Sequence, residues 1–301
     1  MTPRDLSVIV VSFNARETIG ACLRALGGQT VKGFRTLVVD SSSDGTAELV
    51  RREFTSAGST GVELIHSKRR LYPGDARNAG LQRATSALVA FVDADCIAAP
   101  DWVERIVAAH TGSELIIGGS VGVANPGSLA GWAIYFCEFS GWIPQGRTRH
   151  LADIPTCCLS FKRAAYDHYG PFLEGSYCSD TLFNWKAGEG GHRPLFVPEI
   201  HVQHHNLTAL RPILRKLRMH GETFARVRVR HGRWGRGDRF ARAATWVLLP
   251  GWLWLRTSGR VARAPGYRWP FLRATPWVLA GLVCWSWGEA VGYLRSPEAE
   301  A

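Results

Sequence analysis

Ala87-Leu88-Val89-Ala90-Phe91-Val92-Asp93-Ala94-Asp95 is the stretch on which the reading of this chain turns. Six apolar, mostly β-forming residues in a row have the composition of a buried central strand rather than a half-exposed one. The run stops at two carboxylates one residue apart, where a strand of that kind leaves its sheet. Asp93 and Asp95 have a bland explanation as a solvated strand end, or as a cap for whatever follows. They have a chemical one as oxygen ligands of a hard divalent cation, Mg²⁺ or Mn²⁺, which binds through one or two carboxylates together with a substrate's phosphates. The spacing alone leaves both open, so the surrounding sequence has to decide.

Working outward, strands and helices alternate through the first hundred residues. Ser7–Phe13 reads as a strand, followed by an amphipathic helix over Glu17–Leu26 with Ile19, Cys22, Leu23 and Leu26 on one face. A second strand, Phe34–Asp40, is followed by Ser41-Ser42-Ser43-Asp44-Gly45-Thr46, a loop able to cap a helix over Ala47–Phe54. Val62–His66 is a third strand, Ala76–Ala84 a helix leading into the strand that ends at Asp93, and Pro100–Ala109 a further helix. This order with short turns predicts an α/β fold with a mostly parallel central sheet flanked by helices. Ligands of such sheets bind beyond the carboxyl ends of the strands. Asn14, Asp40 and Asp93 all fall at those ends, which favours the chemical explanation.

Charge divides the 301 residues unevenly. Residues 1–205 carry 19 basic and 20 acidic side chains, whereas residues 206–301 carry 17 and 5, so the whole excess of +11 lies in the C-terminal third. Eight of the 12 tryptophans lie there too. Arginine mixed with tryptophan and aliphatic residues suits an anionic membrane surface, where rings sit at headgroup level and cations meet lipid phosphates. Nucleic acid is disfavoured as the partner, because a basic arm for it seldom carries a run such as Trp246–Leu255. The division predicted is a catalytic domain over 1–205 and a helical, membrane-associating region over 206–301. Within that region, Thr275–Leu294 is long enough to span a bilayer, but its glycines, Pro276 and Glu289 favour an interfacial or re-entrant helix paired with Ala244–Leu255. The aromatic stretch Trp132–Trp142 has helical spacing and reads either as a core face or as an acceptor- or membrane-facing surface. None of the seven cysteines has zinc-pair spacing, and most read as small core residues of a reducing compartment. The N-terminus enters its first strand almost at once, without the basic and apolar regions of a cleavable signal, which places the expected location at the cytoplasmic face of the membrane, peripheral or C-terminally anchored.

Taken in order, Val10-Val11-Ser12-Phe13-Asn14, Gln29-Thr30, Val38-Val39-Asp40-Ser41-Ser42-Ser43-Asp44-Gly45-Thr46, Ala76-Arg77-Asn78-Ala79-Gly80, Phe91-Val92-Asp93-Ala94-Asp95, Gly170-Pro171-Phe172-Leu173-Glu174, Ser179-Asp180-Thr181-Leu182-Phe183 and Pro198-Glu199-Ile200-His201-Val202-Gln203-His204 resemble the nucleotide-sugar domain of family 2 glycosyltransferases, the GT-A fold. The resemblance covers about two thirds of the chain. It implies an inverting, Mg²⁺- or Mn²⁺-dependent transfer of a sugar from a UDP or GDP donor to an acceptor, which the basic tail would place at the membrane: a lipid, a polyprenyl phosphate or a lipid-linked glycan. Residue by residue, it implies Asp40 at the nucleobase, Ser12 and Asn14 at the rim of that pocket, Arg77 near the base and diphosphate, and Asp93 at the ribose and diphosphate. Asp93, Asp95 and His204 would hold the metal, with His201 and His205 as rivals to His204. Asp180 would be the catalytic base. The family usually has an acid immediately before that aspartate, and here Ser179 stands instead. The run Lys68-Arg69-Arg70 reads as a solvated loop or as a holder of diphosphate or an anionic acceptor. Two other classes compete: a membrane-associated binding protein that has lost its chemistry, and a nucleotidyltransferase. The latter calls for a Gly- and Lys-rich loop after the first strand, where Ser12-Phe13-Asn14-Ala15-Arg16 is found.

Overall fold

The computed structural model describes residues 1–55 and 61–296. It divides into two compact units. One comprises Met1–Ala124 and Pro144–His205, and the other Asn125–Ile143 with the chain from Asn206 onward. The boundary expected after residue 205 is therefore one of several crossings, because 125–143 leaves the first unit for the second.

In chain order the first unit runs β1 (Leu6–Ser12), α1 (Ile19–Gly27), β2 (Arg35–Asp40), α2 (Thr46–Phe54), β3 (Val62–His66), α3 (Pro73–Arg83), β4 (Leu88–Asp93), β5 (Cys96–Ala98), α4 (Trp102–Ala109) and β6 (Ile116–Val123). After α5 (Leu129–Glu138), which belongs to the second unit, it continues with β7 (Arg149–His150), β8 (Leu159–Lys162), α6 (Arg163–Tyr169), α7 (Ser179–Glu189) and β9 (Leu195–His204). The sheet order is β3-β2-β1-β4-β8-β6-β9-β5, with β7 also paired to β9. β3, β2, β1 and β4 are parallel, as the alternation of strands and helices with short turns predicts. Beyond β4 the sheet becomes mixed: β8 is antiparallel to β4 and β6, β9 runs parallel to β6, and β5 and β7 are antiparallel to β9. This half combines the two longest strands, β6 and β9, with the short β5, β7 and β8, and irregular segments connect them.

Two local features set the parallel half. Asp44 accepts from the backbone N–H of Thr46 at 3.1 Å and from its hydroxyl at 2.5 Å, which organises the turn into α2. Gly80 brings α3 against the sheet, where a Cβ would stand 2.6 Å from Ile9 Cγ2. That is why the helix leading into β4 carries glycine at that turn.

The second unit adds α8 (Leu210–Gly232), α9 (Arg236–Ala244), α10 (Leu249–Val261) and α11 (Pro265–Arg295) to α5. α11 continues through Pro270 and Pro276, although each lacks the N–H that the helix ladder uses. Its flanking turns are held by packing on α8 and α5. A side chain at Gly288 would collide with the backbone of Arg218, so the two long helices approach closely there. The aromatic stretch after Leu129 is core: Tyr135 and Phe136 are fully buried, and Tyr267 and Phe271 of α11 stack on or edge into them. Among the described residues no helix is long and apolar enough to cross a membrane. Thr275–Leu294 lies inside α11, and Glu289 is buried in a polar network. It accepts from Arg228 at 3.1 Å, from the Tyr293 hydroxyl at 2.6 Å and from the Trp285 indole at 3.1 Å.

Candidate active site

Parallel register levels the ends of the first four strands. Ser12 pairs with Asp40, Asp40 with His66, and Val11 with Asp93, so one residue shift in any strand would remove its polar group from the row. Asp40 is fully buried. Its carboxylate accepts from the Ser42 N–H at 3.1 Å and the Ser42 hydroxyl at 2.5 Å, and lies 3.0 Å from His66 Nδ1. A carboxylate has about four acceptor positions, so capacity for about one further donor remains. His66 is a participant that the sequence pattern does not reveal, because its level with Asp40 depends on the register of β3 against β2. Asn14, at φ +50°, is exposed and braces the loop after β2. Its side chain accepts from Ser43 N–H at 3.0 Å, and its N–H donates to Ser42 at 2.7 Å. The Ser12 hydroxyl is buried without a hydrogen-bond partner.

Arg77, expected near the diphosphate, is buried on α3. It donates to the Ser179 hydroxyl at 3.1 Å and lies 3.7 Å from Asp93 Oδ1. With serine at 179, no carboxylate at that position competes for its charge. Asp93 Oδ1 is shielded from solvent and accepts no hydrogen bond, while the side chain as a whole is one-third exposed. Burial, helped by the charges of Asp95 and Asp180, pushes the Asp93 carboxyl above its usual range, and Arg77 and His204 only partly oppose this.

The antiparallel β5–β9 pair sets Cys96 opposite His204 and brings the His204 ring to Asp95, Nε2 to Oδ2 3.4 Å. Strand alternation separates the three candidate histidines. His204 is buried beside Asp95. His201 points to Ser120, its Nδ1 3.0 Å from the hydroxyl, and burial lowers its pKa. His205 is exposed and meets the site only through its backbone N–H, which donates to Asp95 O at 2.8 Å. Ligand atoms of Asp95, Cys96 and His204 all lie within 4.8 Å of one another. Burial raises the Cys96 thiol well above its ordinary range, so it is a neutral wall and a poor ligand for a hard cation.

Asp180 opens α7. Its Oδ2 accepts from Thr156 N–H at 3.3 Å and Thr156 Oγ1 at 3.2 Å, and its Oδ1 from Thr181 N–H at 3.0 Å. These bonds fix the orientation of a half-buried carboxylate whose charge is felt at Asp93. Thr156 carried no sequence signal, since it lies in an irregular segment. The Lys68–Arg70 run is not uniform: the Arg70 guanidinium lies over the Phe13 ring, 4.6 Å from its centroid, and donates to the Tyr177 hydroxyl at 3.1 Å.

The arrangement defines a class: a parallel α/β sheet whose strand ends gather carboxylates, a histidine and an arginine around one position, with a further oriented aspartate beside them. The profile of "Glycosyl transferase family 2" matches residues 7–170, more than half the chain, and the chain belongs to that family. Glycosyltransferase AglE of Haloferax volcanii is 34% identical over 125 residues, 40% of each chain. The chain spans less than half the length of the curated relatives it matches first. Among solved structures, mannosyltransferase PcManGT from Pyrobaculum calidifontis, in complex with GDP-Man and Mn²⁺, superposes with TM-score 0.67 at 18% identity, covering 98% of this chain and 89% of its own. GalNAc-T7 with UDP, GalNAc and Mn²⁺ gives TM-score 0.56 at 14% identity over 75% of this chain and 47% of its own. At those identities the likeness establishes the GT-A-like fold.

Proposed function

We propose that this protein transfers a sugar from a nucleoside-diphosphate sugar, with UDP or GDP as the carrier, to an acceptor hydroxyl with inversion at the anomeric carbon. The observation that carries the reading is the meeting of Asp93, Asp95 and His204 with the separately oriented Asp180. Asp180 takes the proton of the acceptor hydroxyl as that oxygen bonds to the anomeric carbon and the bond to the diphosphate breaks. Thr156 holds the carboxylate for that task. Arg77 supplies fixed positive charge beside Asp93, and Asp40, with Ser42 and His66, forms the floor at which a nucleobase N–H is accepted.

The donor set fits Mg²⁺ or Mn²⁺: a carboxylate facing an imidazole, and a buried carboxylate oxygen on Asp93 that accepts no hydrogen bond. Asp95 and His204 would ligate the ion, with Asp93 beside them, and the chemistry it supplies when bound is neutralisation of charge on the departing diphosphate. Mn²⁺ in the two structural neighbours supports this. The acceptor we assign is a lipid, a polyprenyl phosphate or a lipid-linked glycan at the cytoplasmic membrane face, because the basic residues and tryptophans concentrate from 206 onward.

A thermal-shift panel of nucleoside diphosphates with and without Mn²⁺ tests the donor half. One base should stabilise the protein, and more so with Mn²⁺. If no nucleotide shifts the melting temperature, the reading is wrong. Donor hydrolysis by Asp180→Asn equal to that of the parent would remove the base and leave a binding protein.

A further inference from the structure

Twelve of the sixteen large apolar side chains exposed among the described residues lie between Phe240 and Leu294. On α11 they are Trp269, Leu272, Trp277, Leu279, Val283, Trp287 and Leu294. At about 100° per residue, all of these but Trp277 fall within an arc of roughly 80° that runs about 38 Å along the helix, and Trp277 lies about 80° beyond its edge. Phe271, Val278, Leu282 and Glu289 occupy the opposite, buried side. Trp252 and Leu255 of α10 are exposed as well. An apolar stripe of that length is far more than the scattered exposure of a soluble surface.

The charges on the same segment have one sign. From Arg239 to Arg295 there are eight arginines and a single acid, Glu289. That acid is buried and engaged by Arg228, Trp285 and Tyr293. Every charge this segment exposes is therefore positive. Arg268 and Arg273, both exposed, fall on either side of the apolar arc. Arg268 spends part of its guanidinium on Ala262 O, Nε at 3.0 Å, and Arg273 is on the facing edge.

We propose that this face of α10 and α11 docks on the anionic headgroup layer of a lipid bilayer and lies on the bilayer without crossing it. Tryptophan and leucine enter the headgroup–acyl boundary while the flanking arginines meet lipid phosphates. Charge complementarity selects this occupant. A second copy of the chain would bring arginines against arginines, and a nucleic acid would satisfy the cations but lay phosphate over leucine, valine and tryptophan. The inference deepens the membrane-acceptor reading by naming the surface and the partner, and rests on that reading only for its biological purpose.

The test uses the full chain with phosphatidylglycerol-containing vesicles and with phosphatidylcholine alone. Co-sedimentation should favour the anionic vesicles and weaken as salt is raised, with tryptophan emission shifting to the blue. The double variant Leu272→Asp/Val283→Asp, checked by circular dichroism and melting temperature, should lower partitioning by about tenfold or more. Leu207→Asp, an exposed position outside the face, should leave it unchanged. Arg268→Glu/Arg273→Glu should remove much of the preference for anionic lipid. Unaltered vesicle binding by the Asp pair overturns the proposal. So does concentration-dependent dimerisation, or nucleic-acid binding, that the Asp pair abolishes while vesicle binding is absent. Donor hydrolysis in lipid-free buffer is read on the same samples: its absence from the parent counts against the transferase reading alone, and loss of vesicle binding counts against this face alone.

Discussion

The sheet unit and the helical unit break opposite rules of burial. In the first, charged groups go inside: Asp40 and Arg77 are buried, and Asp93 keeps one oxygen shielded without a hydrogen bond. Each such group costs free energy unless a partner arrives. In the second, apolar groups go outside. Trp269 is 67% exposed and Leu248 77%. The two departures differ in chemistry, and they are the features on which the proposed ionic ligand of the sheet edge and the proposed lipid surface of the helices rest.

Substitutions can break or sharpen this contrast. The largest effect is expected from Asp180→Asn, which should reduce turnover by about 10³-fold, within the usual range for removing a general base, while nucleotide affinity in a calorimetric titration stays near the parent's. Vesicle binding should not change, and a joint loss would mean that the two departures from burial are not independent. Next comes Glu138→Gln in the helical unit, a conventional buried ion pair there. Burial alone would raise the Glu138 carboxyl, but Lys216, 3.1 Å away, and His220 outweigh it and hold it well below the usual range. Its stabilisation is thus present above the unfolded-state value of about 4.3 and is lost as pH falls through the lower folded-state value. Removing the charge should cost about 3 kcal/mol at neutral pH, with the gap in melting temperature between parent and variant narrowing progressively below about pH 4.

A smaller change is expected of His204→Ala, which should weaken Mn²⁺ binding in a titration by at least about tenfold and leave the fold intact. If Mn²⁺ affinity is unchanged, His204 is a wall like Cys96 rather than a ligand. The smallest is Gly80→Ala, which forces α3 away from Ile9 and Val39. It should lower stability by about 1–3 kcal/mol in denaturant melts. Unaltered stability would mean that α3 accommodates a methyl group without disturbing the strand ends.

The parallel half of the sheet was legible because its signal is local: unbroken apolar runs, capping residues and turns. Asp40, Asp93 and Asp95 could be placed at strand ends for that reason. His204 was legible by resemblance but not separable from His201 and His205, since that needs the direction and register of β9 against β5. Arg77 was expected near the base and diphosphate by resemblance, but its burial and its contacts with Ser179 and Asp93 come only from the packing of α3. Thr156 and His66 were missed as participants. The contact of Thr156 with Asp180 spans 24 residues that include β8 and α6, and that of His66 with Asp40 depends on strand alignment.

For the C-terminal third, composition by itself determined that basic and aromatic residues predominate and that helices form. It could not say which tryptophans are core and which face outward. Trp285 donates to buried Glu289, while Trp287, two residues on, is exposed. Only the packing of α11 on α8 and α5 decides that. Periodicity identifies a helix face, but the neighbour that covers it comes from distant sequence, and contacts made across such separations leave no local pattern to read.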